Sequence, residues 1–277
     1  NCNDTGSGSL RDTIASATSG DTIVLNPVNM NCSAITLGSG EIVVPQNDLT
    51  VKYNGNNTNH FIVSGNNHLI FHHEGTGKLT LQRLTLQFGK ATDADATPIV
   101  TGKYTSNAVL GGCVYSAGVV DLEHSQVKYC SVSSSSIGIG GGIGAMKGLI
   151  MNNSTLRDNS VTAFVSPTYG SYAQCGGAFA GVPGLFGGNG YINANYSTVR
   201  DNAVGGSGGG LCIIGPFGNT GPGPQSTIQN STISGNSAAD TSAISSSGLL
   251  TIANSTVSGN TATGTAYSVS AIFAGKT

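Results

Sequence analysis

The sequence predicts an all-β chain wound into a parallel β-helix, and three observations predict it. Five segments align without gaps: Ser125 to Val132, Ser154 to Val161, Ser197 to Val204, Ser231 to Ala238 and Ser255 to Ala262. Ahead of each lies a pair of small residues and then an apolar or small one, at Gly111-Gly112-Cys113, Gly141-Gly142-Ile143, Gly176-Gly177-Ala178, Gly209-Gly210-Leu211, Ser242-Ala243-Ile244 and Ser270-Ala271-Ile272. Their starts fall 30, 35, 33, 33 and 28 residues apart. Such a period also suits helical repeats, so composition decides. Each unit is rich in Ser, Thr, Gly, Val and Ile and carries short alternations such as Leu79-Thr80-Leu81 and Val120-Asp121-Leu122, which is strand chemistry. Strands of three to five residues cannot bury a face alone. Coils stacked about 4.8 Å apart bury one another and pair their backbone groups along the stack.

Taken in chain order, the first element is a cap. Leu10, Ile14 and Ala17 share a helical face, and Ser9 can accept at the first turn with Asp12 three residues on, so residues 9 to 18 read as a short helix covering the open end of the solenoid. Asp21 to Leu25 follows as the first strand, and residues 1–25 form the cap of a single domain spanning 1–277, whose clearest repeats run over 110–277. In the repeats, Val127, Leu156, Val199, Ile233 and Val257 form an inward column, each worth roughly 1.5 to 3 kcal/mol by burial. Asn159, Asn202, Asn236 and Asn260 form a second column, as expected of an inward turn where amides bond along the stack at about 0.5 to 1.5 kcal/mol each. Cys130 takes that place one coil earlier. The Gly pairs are read as tight turns or close approaches to the next coil. A final coil opens at Ser270 and stops at Thr277 without a helix, so its edge is expected to meet more chain or another subunit.

Charge narrows the partners. Of 277 residues only 11 are Lys or Arg and 13 Asp or Glu, 9% against a usual quarter or so. A net charge of -2 gives no electrostatic reason to expect nucleic acid or an anionic membrane surface. No apolar run approaches the roughly 18 residues of a membrane span. The six cysteines show neither CxxC nor zinc-ligand spacing, which favours disulfides in an oxidising compartment. Cys2 and Cys32 flank one short N-terminal segment and are the expected pair. Cys113, Cys130, Cys175 and Cys212 are left open between disulfides and small buried hydrophobes. A start at Asn1 with Cys second resembles a chain whose leader has been removed, and export is the expectation.

Gly8-Ser9-Leu10-Arg11-Asp12-Thr13-Ile14 followed by Ser19-Gly20-Asp21-Thr22-Ile23 resembles the N-terminal cap of secreted bacterial right-handed parallel β-helix repeat proteins. In that pattern a Cys-Ser-Leu-Arg-Glu-Ala-Ile run precedes Gly-Asp-Thr-Ile. This chain has Gly8 in place of the Cys and Asp12-Thr13 in place of Glu-Ala. Gly176-Gly177-Ala178-Phe179 and the repeated Asn endings are similar to polymorphic outer-membrane and autotransporter passenger repeats, which commonly have Phe where Leu156 and Val199 stand. The two resemblances imply a right-handed solenoid that is secreted or at the cell surface, often an adhesin or structural element, on a fold that also hosts polysaccharide lyases and hydrolases. Fold alone does not settle which.

Chemistry on such a scaffold needs outward side chains from neighbouring coils. Asp121, Glu123, His124 and Lys128 are the best catalytic cluster. With Leu122 inward, the two acids share a face about 6.5 to 7 Å apart, a spacing open to an inverting glycosidase pair. The competing reading is a solvated surface pair, since Ile150 and Asn152 follow in the next coil. Lys128, Arg157 and Arg200 form an outward basic column suited to carboxylate or sulfate on sugars, though Asp158 and Asp201 can neutralise two of them. His68, His72, His73 and Glu74 lack a demonstrable three-ligand convergence, and Asp93 with Asp95 offer too few oxygens for calcium, so neither a metal nor a cofactor is expected. Two long unit interiors, 180–190 with Phe186 and 214–225 with Phe217, read as projecting loops whose aromatics either recognise a ligand or fold back. Asn-x-Ser/Thr triplets, such as those at Asn56 and Asn254, follow from the repeat composition and carry no glycosylation reading.

Scarce, dispersed acid and base groups on a regular repeat lead to a first expectation of a non-catalytic extracellular scaffold, adhesin-like or a fibre subunit. It would contact a host or matrix glycan or protein by its long side, or itself by the C-terminal coil edge. The alternatives are a carbohydrate-active enzyme on the Asp121 to Lys128 face and a glycan-binding module without turnover.

Overall fold

The computed structural model describes residues 1–55, 60–101, 104–163, 165–166, 170–171, 173–181, 190–214, 225–264 and 271–274. Phe186, Phe217 and Asn56 lie outside them. The chain is a parallel β-helix. Among the described residues three eight-stranded sheets run along the stack, each pairing only in parallel. The first sheet holds Thr22–Leu25, Leu49–Tyr53, Lys78–Gln82, Val119–Glu123, Gly148–Asn152, Tyr191–Asn195, Ser226–Gln229 and Leu250–Ala253. The second begins with Ala34–Thr36, Phe61–Ser64 and Leu84–Gln87 and continues through Gln126–Lys128, Thr155–Arg157, Thr198–Arg200, Thr232–Ser234 and Thr256–Ser258. The third runs from Ile42–Val44 through Phe71–His73, Val114–Ser116, Ile143–Ala145, Ala178–Ala180, Leu211–Ile213 and Ile244–Ser246 to Ile272–Ala274. A shorter fourth sheet, from Lys90–Ala91 to Thr261–Ala262, fills the side between the second and third.

Register follows the repeat columns. Val127, Leu156, Val199, Ile233 and Val257 are consecutive partners in the second sheet, and all but the last are fully buried. The Asn column bonds rung to rung. Asn159 Nδ2 donates to Asn202 Oδ1 at 2.9 Å, and the same step repeats from Asn202 to Asn236 and from Asn236 to Asn260. Each amide also donates to a carbonyl of an earlier coil, that of Val127 for Asn159. A second ladder is made by the Ser that opens every aligned segment. The backbone N–H of Ser125 donates to Ser154 Oγ, that of Ser154 to Ser197 Oγ, and so on to Ser255. Both ladders satisfy backbone groups where the chain bends and cannot pair as strand.

Strand register corrects one alignment. Val114 pairs with Ile143, so Gly112 stands over Gly141 and Cys113 over Gly142, one residue from the match suggested by the Gly pairs. The shift explains a disulfide. In later coils a Gly lies against the ladder: a Cβ on Gly142 would come within 3.1 Å of the Asn159 amide, and Gly177 and Gly210 are placed likewise against Asn202 and Asn236. In the earlier coil the same two places hold Cys113 and Cys130, which are bonded to each other. Cys2 is bonded to Cys32, and Cys175 to Cys212. Close packing of coils is the reason for the other Gly column, since a Cβ on Gly141 would sit 2.3 Å from the Gly176 carbonyl oxygen and 2.5 Å from that of Ser160.

The cap helix is Leu10–Ser16, and Ser9 Oγ accepts from the Asp12 N–H. Leu10 and Ile14 close the hydrophobic core. Arg11 ties the helix down: it donates to Asp4 Oδ1, to the Gly40 carbonyl and to the Glu41 carbonyl. Burial pushes the Asp4 carboxyl up, but Arg11 and the amides of Gly38 and Ser39 outweigh it and hold the pKa at about 2. Beneath the helix, Gln46 Nε2 donates to the Ile14 and Ala17 carbonyls at 2.8 Å. A second short helix, Pro27–Met30, follows the first strand.

The His patch is divided by the third sheet. His68 lies in a turn before the strand, not on it; the strand begins at Phe71, so His72 faces outward and His73 inward. His72 Nδ1 bonds Glu41 at 2.9 Å, and that bond raises its pKa against the pull of burial. Buried His73 donates from Nε2 to the Gln46 carbonyl and accepts the Ser116 hydroxyl at Nδ1. Burial lowers its pKa despite the carbonyls of Gln46 and Asn47. The signs oppose. His73 makes stability fall as pH drops below about 6.5, because the unfolded chain then binds more protons; His72 contributes stability that is full below about 6.5 and is lost as pH rises through its folded value. Denaturant midpoints across pH 5 to 8 are therefore expected to peak near the ordinary imidazole range, and Glu41→Gln should abolish the decline on the alkaline side while sparing the acid side.

An additional layer covers the outside of the third sheet. The antiparallel pair Thr97–Thr101 and Tyr104–Leu110 continues in parallel to Ile137–Ile139 and Ala173–Gln174. Under it, Leu110, Tyr115, Ile139, Phe179 and Cys212 form a second buried cluster with Cys175. Asp93 and Asp95 support this layer. Asp93 accepts from Ser134 Oγ and the Ser135 N–H, and Asp95 from the Thr92 N–H. At the C-terminal end, Ile252, Val257 and Ile272 are only partly buried and Phe273 is exposed.

Candidate functional site

The outer face of the second sheet stays open to solvent, and its local geometry is simple. Each strand there from Gln126 onward is three residues, out, in and out, so each coil presents two outward side chains. A left-handed residue flanks the strand at each end. One rim contains Arg83, His124, Asn153 and Tyr196, with φ between 48° and 54°. The other contains Phe88, Tyr129, Asp158 and Asp201 at 54° to 55°, before Gly235 and Gly259 take the place. Bulky side chains cost energy in this region, and Gly is the unstrained choice. Phe88 and Tyr129 therefore hold aromatic rings at the surface where the later coils place Asp and then Gly.

Those two rings are stacked, with centroids 5.5 Å apart and planes within 12°. They are 50% and 43% exposed, so part of each ring meets solvent although Phe88 and Arg157 lie over the Tyr129 ring. Lys128, Arg157 and Arg200 stand in one column beside it, as consecutive partners along the sheet. Arg157 Nη1 donates to the Tyr129 hydroxyl at 2.9 Å and its guanidinium carbon lies 5.0 Å from the ring centroid; Lys128 Nζ lies 5.7 Å away. Such geometry is favourable for a cation over an aromatic face. Asp158 and Asp201 pair with Arg157 and Arg200. Among the described residues no carboxylate lies within ion-pair reach of Lys128. Across the strip, burial lowers the pKa of His60, and the nearby charges of His124, Arg83 and Lys128 lower it further. The N-terminal part of the strip is thus a cationic corner, and the next two coils are internally neutralised.

The catalytic cluster suggested by sequence is divided among three surfaces. Asp121 and Glu123 lie on the outer face of the first sheet, His124 on the turn and Lys128 on the second sheet. The reading of two solvated acids needs correction. The Asp121 side chain is only 6% exposed and pairs with Lys78 Nζ at 3.0 Å, while Glu123 accepts from Gln82 Nε2 at 2.6 Å. The hydrogen bond to Asp121 raises the Lys78 pKa. Among the described residues no three His, Cys, Asp or Glu converge as a metal site, and no helix is long and apolar enough to cross a membrane.

Sequence reasoning found the basic column and missed the platform beside it. The signal was available: an aromatic follows the outward position in Gln87-Phe88 and Lys128-Tyr129, where Asp or Gly follows in later coils. Comparison with protein-family models, curated proteins and solved structures finds no match.

Proposed function

We propose that this chain is a secreted or cell-surface β-helix scaffold, adhesin-like and non-catalytic, that presents the outer face of its second sheet to a glycan or protein partner. The observation that carries the proposal is the stacked, half-exposed Phe88 and Tyr129 pair flanked by Lys128 and Arg157. The pair keeps about half of its ring surface in solvent at a turn where later coils place Asp or Gly, which supports a recognition role. Three disulfides and the cap resemblance support export to an oxidising compartment. Asp121 and Glu123, already engaged by Lys78 and Gln82, favour binding over turnover.

The test is retention of the chain on arrays of glycans and extracellular matrix proteins, with products assayed in the same wells. Retention without release of new reducing or unsaturated ends, weakened at least tenfold by Tyr129→Ala, is the expected result. Release of such ends, lost on Glu123→Gln, would replace the scaffold with the enzyme reading. A fibre form of the scaffold draws on exposed Phe273 and partly buried Ile252, Val257 and Ile272. It requires light scattering to grow with protein concentration, and monomers throughout would remove it.

A further inference from the structure

We infer that the strip binds a linear anionic glycan lying along the solenoid axis, with one carboxylate or sulfate on each sugar unit and about one unit per coil. This deepens the proposed function and rests on it. Three independent features select that ligand. The first is spacing. Lys128, Arg157 and Arg200 repeat once per coil, about 4.8 Å apart, comparable to the length one pyranose adds to an extended chain. An extended acidic peptide fits poorly, because its same-side carboxylates recur about every 6.6 to 7 Å.

The second feature is the platform. Phe88 and Tyr129 keep about half of their surface in solvent, apolar area able to pack against the C–H groups of a sugar ring, and Gln126, Thr155 and Thr198 line the neighbouring outward column with groups able to bond hydroxyls. The third is charge. Lys128 has no carboxylate partner among the described residues, and Arg83 and His124 stand on the rim beside it. Asp158 and Asp201 each engage one terminal nitrogen of an Arg, which leaves further donors of that planar fork for a carboxylate or sulfate. The unneutralised corner sets where the chain is held most firmly, and the two Arg coils extend the register.

The experiment is calorimetric titration of the full chain at low salt with size-defined oligouronates of one to six units, sulfated oligosaccharides of the same lengths, and neutral counterparts of each. Affinity should rise at least tenfold from one unit to three and then level off. Neutral counterparts should bind at least tenfold more weakly. Lys128→Ala and Tyr129→Ala should each lose about tenfold, and Lys128→Arg should retain binding; an unchanged thermal unfolding curve shows that these surface variants fold. Preference for the uronate or the sulfate series identifies which anion the strip takes, and either supports the inference. Equal affinity for charged and neutral chains, tighter binding of poly-glutamate than of any glycan, or affinity independent of length would overturn it. A neutral glycan retained through Tyr129 would overturn this inference and leave the scaffold reading standing. Failure of every ligand, here and on the arrays, would remove both.

Discussion

Asn202→Leu is expected to destabilise the chain by about 4 kcal/mol. Asn202 is fully buried and central in its column. Its Oδ1 accepts from both the backbone and the side chain of Asn159, and its Nδ2 donates to Asn236 Oδ1 and to the Leu156 carbonyl. A leucine, branched alike but larger, leaves those partners in a closed interior without water, at about 1 to 3 kcal/mol for each unsatisfied group, partly relieved by relaxation. Asn260→Leu provides the internal comparison. That residue is only partly buried, so solvent can replace what it loses and about 1 kcal/mol is expected. Denaturant unfolding checks the totals, and hydrogen exchange should show protection lost first in the coils around residue 202, since coils contact mainly their neighbours. Equal effects at the two sites would mean that the ladder does not act through burial.

The second large effect concerns the coil that lacks an Asn. Replacing Cys113 and Cys130 by Ser should cost about 3 kcal/mol, the loop entropy of a 17-residue closure. Cys113→Gly combined with Cys130→Asn should recover a substantial part of that loss. This pair restores the arrangement of Gly142 with Asn159, and the new amide can donate to the Leu86 carbonyl, which stands in register with the Val127 carbonyl that Asn159 uses. Urea midpoints for the wild type, the double Ser variant and the Gly and Asn variant decide it, with wild type in reductant as a further reference. If the Gly and Asn variant is no more stable than the double Ser variant, the two pairs are not alternative solutions to one packing problem.

Much of this architecture was legible because it is periodic. The Val127 to Val257 column could be read as inward since alternation along a strand is a local property. The Asn column was equally readable, because a polar residue recurring at one place beside that core has few other uses. Cys130 was visibly out of pattern there, but its partner was not, since the Gly pairs align one residue away from the true strand register at Gly112 and Gly141. The Ser ladder was overlooked although Ser opens every aligned segment, because Ser is frequent throughout the chain.

The candidate site was half legible. Sequence places Lys128, Arg157 and Arg200 in one line, and it places Asp158 and Asp201 next to two of them. It does not show that Asp121 is shielded and paired with Lys78, two residues that meet only because strands 41 positions apart lie side by side.

By itself the sequence determined the wound β architecture and the composition of the inward apolar and Asn columns, which depend on residues that recur from coil to coil, and the N-terminal cap, which depends on the local helical spacing of Leu10 and Ile14. Only the tertiary structure decided how the columns are arranged around the coil. It covers the third sheet with an extra layer, buries Cys212 against Cys175, and leaves the second sheet bare with Phe88 stacked on Tyr129. The physical reason is that a repeat specifies which residues lie above one another, whereas exposure and pairing depend on what packs beside them, and those neighbours come from distant parts of the chain.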